Sequence, residues 1–304
     1  MSMFGNFIAA LVAATSSFSA SVVDMPLSEG FPVVQDYLQD GVDASAEIAQ
    51  KSSYIAGITV IDRANGNALR FNDQLSHTPF EMQTVGRLPI LLYAVLKDEA
   101  VTRGDVPEIV SMMQGYSGAD TDAMWAKYGG KSIITELATR YRLEEFEAGD
   151  SWKDSKISSF DLARLMRRFL DDSSIDAASK QWVISMLQGT SKSVAGQDFS
   201  WGFASQKVAS YTQGSVSQDG SDTTDYVAWV QGWSDSGTDP MVRSSIAVLG
   251  QDMRYIAVVH GNFPSKTPNE VADKTLSEIA ATIVDDVNSE ISDKEKRESD
   301  VKAK

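Results

Sequence analysis

Thr84, Val85, Gly86 and Arg87 stand at the head of an apolar run that covers residues 88–96. A hydroxyl and a guanidinium three residues apart, where a helix begins, lie beside backbone N–H groups that point outward and can hold a reacting or bound group. A threonine hydroxyl attacks only if a base takes its proton. Arg87 is no such base, because a free guanidinium keeps its proton to a pH above ~12. It suits the attraction of an anion such as a carboxylate. Glu144, Glu145 and Glu147 are carboxylates available in the polar loop 142–156. His77 and His260 are the only histidines. No G-x-S-x-G elbow or acidic metal cluster accompanies them, so both read as structural or solvated.

The bulk properties narrow the classes. The chain has 304 residues, 42% of them hydrophobic, enough for one large domain or two joined subdomains. It has no cysteine. Disulfides, thiolate nucleophiles and zinc–thiolate sites are therefore excluded, and neither a metal nor a cofactor is expected. The net charge of −15 argues against nucleic acid and anionic membrane surfaces as partners.

The elements that must position these residues follow from hydrophobic period. Residues 4–23 are apolar and small, with Ser17, Ser19, Ala20 and Ser21 near their end, and read as a signal peptide or, if uncleaved, an N-terminal anchor (segment 1–23). Residues 24–30 are a linker. A helix is expected over 31–51, a strand over 53–62, a turn at Ala64-Asn65-Gly66-Asn67 and a second strand over 68–72. Residues 79–190 read as a helical subdomain with helices near 88–96, 106–114, 120–128, 131–141, 161–170 and 176–188, Ser158 capping one of them. Strands return over 207–213, 226–233, 244–249 and 255–260, with a turn at 250–253. A closing helix spans 268–287. Residues 291–304 form a charged tail that reads as disordered. One domain over 31–290 results, an α/β (α+β) arrangement: an antiparallel sheet built from both ends of the chain, flanked by helices, with an inserted all-helical subdomain.

Phe80-x-Met82, a short polar step and a buried apolar helix resemble the nucleophile segment of the class A β-lactamases and penicillin-binding proteins. The order of elements over roughly 33–287 is similar to that of the same superfamily. The resemblance implies a Ser-x-x-Lys step, in which the serine attacks an acyl group and the lysine helps remove its proton; here the four positions are Thr84, Val85, Gly86 and Arg87. It implies a Ser-Asp-Asn loop, here Ser117-Gly118-Ala119, running on to Thr121-Asp122-Ala123 and Gly129-Gly130. It also implies a Lys-Thr-Gly strand, here Tyr211-Thr212-Gln213 with Gly214 following. The glutamate that activates the deacylating water in class A enzymes has no matching Glu-x-x-Leu-Asn pattern in 142–156.

Altered chemistry in all three motifs leads to the expectation of a catalytically degenerate member, with Thr84, Arg87, Ser117 and Thr212 as its remnant site positions. Arg87, Tyr211, Thr212 and Gly214 are the ligand-binding candidates. The expected role is a non-catalytic binding or structural protein, exported to the cell envelope or secreted. Its partner would be a cell-wall peptide, a glycan or another envelope protein, and membrane contact would come only through the N-terminal segment. The alternative is a weak hydrolase of amide or ester bonds in β-lactams or cell-wall peptides, with Thr84 or Ser117 as nucleophile and a base in the Glu144–Glu147 loop.

Overall fold

Three long runs in which nearly every residue is buried set the architecture. A strand with one wet face alternates apolar and polar residues, whereas a strand covered on both faces does not. The computed structural model describes residues 36–71, 73–97, 104–194, 197–208, 227–234, 239–250 and 253–302. In it β1 (Ile55–Asp62), β9 (Met241–Leu249) and β10 (Tyr255–Phe263) lie inside a five-stranded antiparallel sheet. Its order is β2-β1-β10-β9-β8, with β2 (Ala68–Phe71) and β8 (Val227–Trp233) at the edges, while β6 (Ser193–Val194) and β7 (Gln197–Asp198) pair with each other outside it. The hairpin from the start of the chain is thus continued by three strands from its end, as the order of elements predicts. Register is unambiguous: Ile58 faces Val259 and Phe71, and Ile246 faces Val258 and Val230.

The sheet divides two cores. On one face Ile58, Val60, Val259, Ala257, Ala247 and Trp229 pack with α1 (Asp36–Lys51) and the last helix. Ser45 Oγ meets Thr282 Oγ1 at 2.6 Å where those helices touch. On the other face Ile61, Ile256, Val258, Ile246 and Val230 meet the inserted helices. After the short α2 (Asp73–Ser76) and β3 (Phe80–Glu81) these are α3 (Arg87–Lys97), α4 (Val106–Gln114), α5 (Gly118–Lys127), α6 (Lys131–Tyr141), α7 (Ser159–Asp171) and α8 (Ala177–Gln188). Helix α3 is buried at every position from Arg87 to Ala94, as an apolar surface on all sides requires. Ser158 and Asp176 cap α7 and α8, accepting from the N–H groups of Asp161 and Ser179.

Three expectations change. The inserted subdomain is not all helical: β3, β4 (Phe146–Glu147) and β5 (Lys156–Ile157) form a small sheet in the order β3-β5-β4. Two-residue strands carry too little pattern to be seen in a sequence. The closing helix, α9, runs Asn269–Lys302, so the charged stretch from 291 to Lys302 continues it. In the sequence Asp293, Lys294 and Lys296 each precede an opposite charge by four residues, a spacing that favours a helix without an apolar stripe. Finally, Lys207 and Val208 are not in a strand, and the rest of the expected strand 207–213 lies outside the described residues. No helix among the described residues is long and apolar enough to cross a membrane, and the apolar segment 4–23 lies outside them.

Candidate functional site

One row of residues across the sheet decides how the Thr84 turn sits. The register aligns Gly57 with His260, His260 with Ser244, and Ser244 with Gly232. The two glycines let other segments approach the sheet. A Cβ on Gly57 would stand 2.4 Å from Ser159 Oγ, and one on Gly232 would stand 2.4 Å from Val85 Cγ2. Between them Ser244 Oγ and His260 Nδ1 are 2.5 Å apart, and His260 Nε2 lies 3.2 Å from the carbonyl of Phe80. Complete burial pushes His260 down to about 4, so its ring is neutral. The neutral ring then donates from Nε2 to Phe80 and accepts at Nδ1 from Ser244. His260 is therefore structural, as its place in an apolar strand suggested, and it ties the Phe80–Met82 segment to the sheet.

Thr84 lies in a 3₁₀ turn, Gln83–Gly86, that leads into α3. Gln83 has φ +46°, a left-handed conformation that costs a non-glycine residue ~1 kcal/mol or more. The turn is held against edge strand β8. Thr84 Oγ1 accepts from the Trp233 N–H at 2.8 Å and lies 3.3 Å from the Gln231 carbonyl, to which it donates. Adding a methyl at the contact between turn and strand is expected to destabilise the protein. Gly232→Ala would drive Cβ into the fully buried Val85 and to 3.1 Å from Ser244 Cβ. Overpacking of this kind costs about 1–3 kcal/mol, read as a lowered urea midpoint at unchanged slope.

Arg87 opens α3 and is only 2% exposed. Its Cζ lies 4.5 Å from the centroid of the Tyr116 ring and 5.2 Å from that of Trp233. Tyr116, Trp233 and Phe199 pack on one another with centroids 4.4–5.0 Å apart. The guanidinium donates one long bond, from Nη1 to the Met112 carbonyl at 3.4 Å. Desolvation pushes Arg87 down to about 10, below the range expected of a free guanidinium and still protonated at neutral pH. The Tyr116 hydroxyl is pushed up by burial and stays neutral as well. A cation and three aromatic rings, one of them a neutral phenol, thus pack together between β8 and the helical half.

The remaining expected residues lie elsewhere or act otherwise. Ser117 is the cap of α5: its Oγ accepts from the Asp120 N–H at 3.2 Å. Asp120 in turn accepts from Ser111 Oγ, and these two hydroxyls hold its carboxyl below the usual range. The residue of this loop that reaches Arg87 is Tyr116, whose φ of +54° directs it there. Glu145 is engaged by His77 Nδ1 and by Ser158 Oγ, each at 2.5 Å. Glu144 and Glu147 are exposed. None of the three is a hydrogen-bond partner of Thr84 among the described residues. Tyr211, Thr212 and Gly214 lie outside the described residues. Among the described residues the strand that meets Thr84 is β8, and it contains no lysine.

Sequence reasoning missed Tyr116, Phe199, Trp233 and Trp152. Trp152 packs beneath the turn: a Cβ on Gly86 would lie 2.4 Å from its carbonyl oxygen. The signals were faint. A glycine in an otherwise large-residue strand, Val230-Gln231-Gly232-Trp233, marks a close approach, but not of what.

Neither models of protein families nor curated protein sequences match this chain. Solved structures do. TLA-3 extended-spectrum β-lactamase superposes with a TM-score of 0.64 at 12% identity, covering 83% of this chain and 99% of its own. A β-lactamase from Chitinophaga pinensis gives 0.61 at 14%, with 82% and 100% covered. A representative class A β-lactamase from Bacteroides cellulosilyticus gives 0.62 at 12%, with 84% and 100% covered. At such identities the likeness speaks for the fold and leaves the chemistry to the residues in place. A hairpin completed by three C-terminal strands, an inserted helical half and a buried helix with the Thr84 turn at its head make this chain one with the class A β-lactamase fold.

Proposed function

We propose that this protein is a non-catalytic member of the β-lactamase-like fold, exported to the cell envelope, where it serves as a binding or structural protein. The observation that carries this reading is the state of Thr84. Its hydroxyl is held by the backbone of β8, and no imidazole, amine or carboxylate hydrogen-bonds to it among the described residues. The charged group three residues on is a guanidinium that stays protonated at neutral pH. Loss of a general base alone removes about 10²–10⁴-fold in rate, and the lysine-free strand β8 removes a cation as well.

The packing of Tyr116, Phe199 and Trp233 around Arg87 favours a scaffold over an open cleft for a large substrate. The partner is then another envelope protein, a cell-wall peptide or a glycan that docks on the outside of the fold. Export is supported by the apolar segment 4–23 with small residues at its end.

The test is acylation. Incubation with a fluorescent penicillin and with a fluorophosphonate is expected to label neither the native chain nor Thr84→Ala, and nitrocefin turnover should match the buffer rate for both. Labelling that vanishes on Thr84→Ala, with the fold intact by circular dichroism, would overturn the reading in favour of a hydrolase.

A further inference from the structure

The cluster around Arg87 is electrostatically incomplete. The guanidinium is 2% exposed, begins α3 and has no carboxylate partner among the described residues. Its charge is removed from water, which is unfavourable without an ion partner. It also stands at the end of a helix where the backbone dipole is positive, which disfavours a cation. The faces of Tyr116 and Trp233 offset part of this by cation–π attraction. Yet among the described residues Arg87 Nε has no hydrogen-bond partner, nor has the Tyr116 hydroxyl, and both atoms are buried. Two donors with no acceptor, on side chains in contact, beside a helix N-terminus, are three features whose energetic sign one negative charge would reverse.

We propose that Arg87 and Tyr116 form a seat for a small monovalent oxyanion of the size of formate or nitrate, which accepts hydrogen bonds from Arg87 Nε and the Tyr116 hydroxyl. The size limit follows from the packing. Tyr116 and Trp233 already lie against the guanidinium, and its unpartnered Nε–H lies in the guanidinium plane, where it matches a planar oxyanion. Entry requires the Tyr116 or Trp233 ring to swing aside. The inference deepens the non-catalytic reading, since a base at position 87 would need no such counter-ion.

The experiment is a thermal-melting series on the full chain in 1–200 mM sodium formate or sodium nitrate, with ionic strength held constant by sodium gluconate. The native protein should melt several degrees higher at the top of the series, the midpoint rising with the logarithm of concentration once the site fills. Arg87→Met replaces the buried cation by an apolar chain of similar length and should fold, because removing an unpaired buried charge is seldom costly. It should show no response. Tyr116→Phe should weaken the response about tenfold in concentration. A native protein that is indifferent to both anions, or an equal shift in Arg87→Met, overturns the seat. Should Arg87→Met fail to fold, an unaltered response in Tyr116→Phe, or no heat on titrating formate into the native chain, does so. Penicillin labelling is read separately, and its appearance would remove the non-catalytic reading without changing the melting series.

Discussion

Trp152→Ala is expected to destabilise the protein by about 3–5 kcal/mol, the usual cost of emptying a buried aromatic site. Trp152 is 2% exposed and ranks among the largest fully buried side chains. Its loop is the strap that holds the Thr84 turn. The carbonyls of Ser155 and Lys153 accept from the N–H groups of Met82 and Gln83 at 2.8 and 3.0 Å, and Gly86 leaves no room above the Trp152 backbone. The indole N–H adds a bond of 2.7 Å to Asp122 on α5. The loss should therefore be local as well as global. Urea unfolding would give the overall change, and hydrogen exchange at the Gln83 amide should accelerate beyond what that change predicts. A stability loss under ~1 kcal/mol would show that the strap is not held by this ring.

Acid is the second large perturbation. Unfolding releases His260 from an environment that pushes it down to about 4, and the free side chain titrates near 6.5. The native state then binds fewer protons than the unfolded state between those two values, so stability falls as pH drops through that window. The cost grows from pH 6.5 downward and is complete below pH 4, at about 3 kcal/mol for a shift of this size. His260→Gln should unfold more easily at pH 7, because Ser244 and the Phe80 carbonyl lose a well-matched partner. Between pH 6.5 and 4 its stability should decline less steeply than that of the native chain. Equal slopes for the two proteins would mean that His260 titrates normally and that the Ser244–His260–Phe80 link is absent.

Both perturbations act on the supports of Thr84, and they mark where sequence reasoning ended. Hydrophobic period carried the fold. The runs over 53–62, 244–249 and 255–260 read as strands and coincide with much of β1, β9 and β10, and the run over 88–96 is too apolar for a surface helix. The Ser158 cap was legible for the same local reason: it satisfies an N–H group three residues away in sequence. The pairing of Thr84 with Arg87 was legible too, because one turn of chain joins them.

What surrounds that pair was not. Trp233 is 149 residues from Thr84, yet its N–H holds the threonine hydroxyl. The sheet brings Val227–Trp233 alongside Thr84, while the expected site residues Tyr211, Thr212 and Gly214 lie outside the described residues. Ser117 and Tyr116 are neighbours in the chain, and the turn sends the first to a helix cap and the second to Arg87. Residue types and local spacing thus determined the elements, the class of fold and the absence of a base at position 87. Tertiary structure alone decided which rings close on the guanidinium, because edge-strand identity and side-chain direction are set by long-range pairing and by backbone angles that no local pattern encodes.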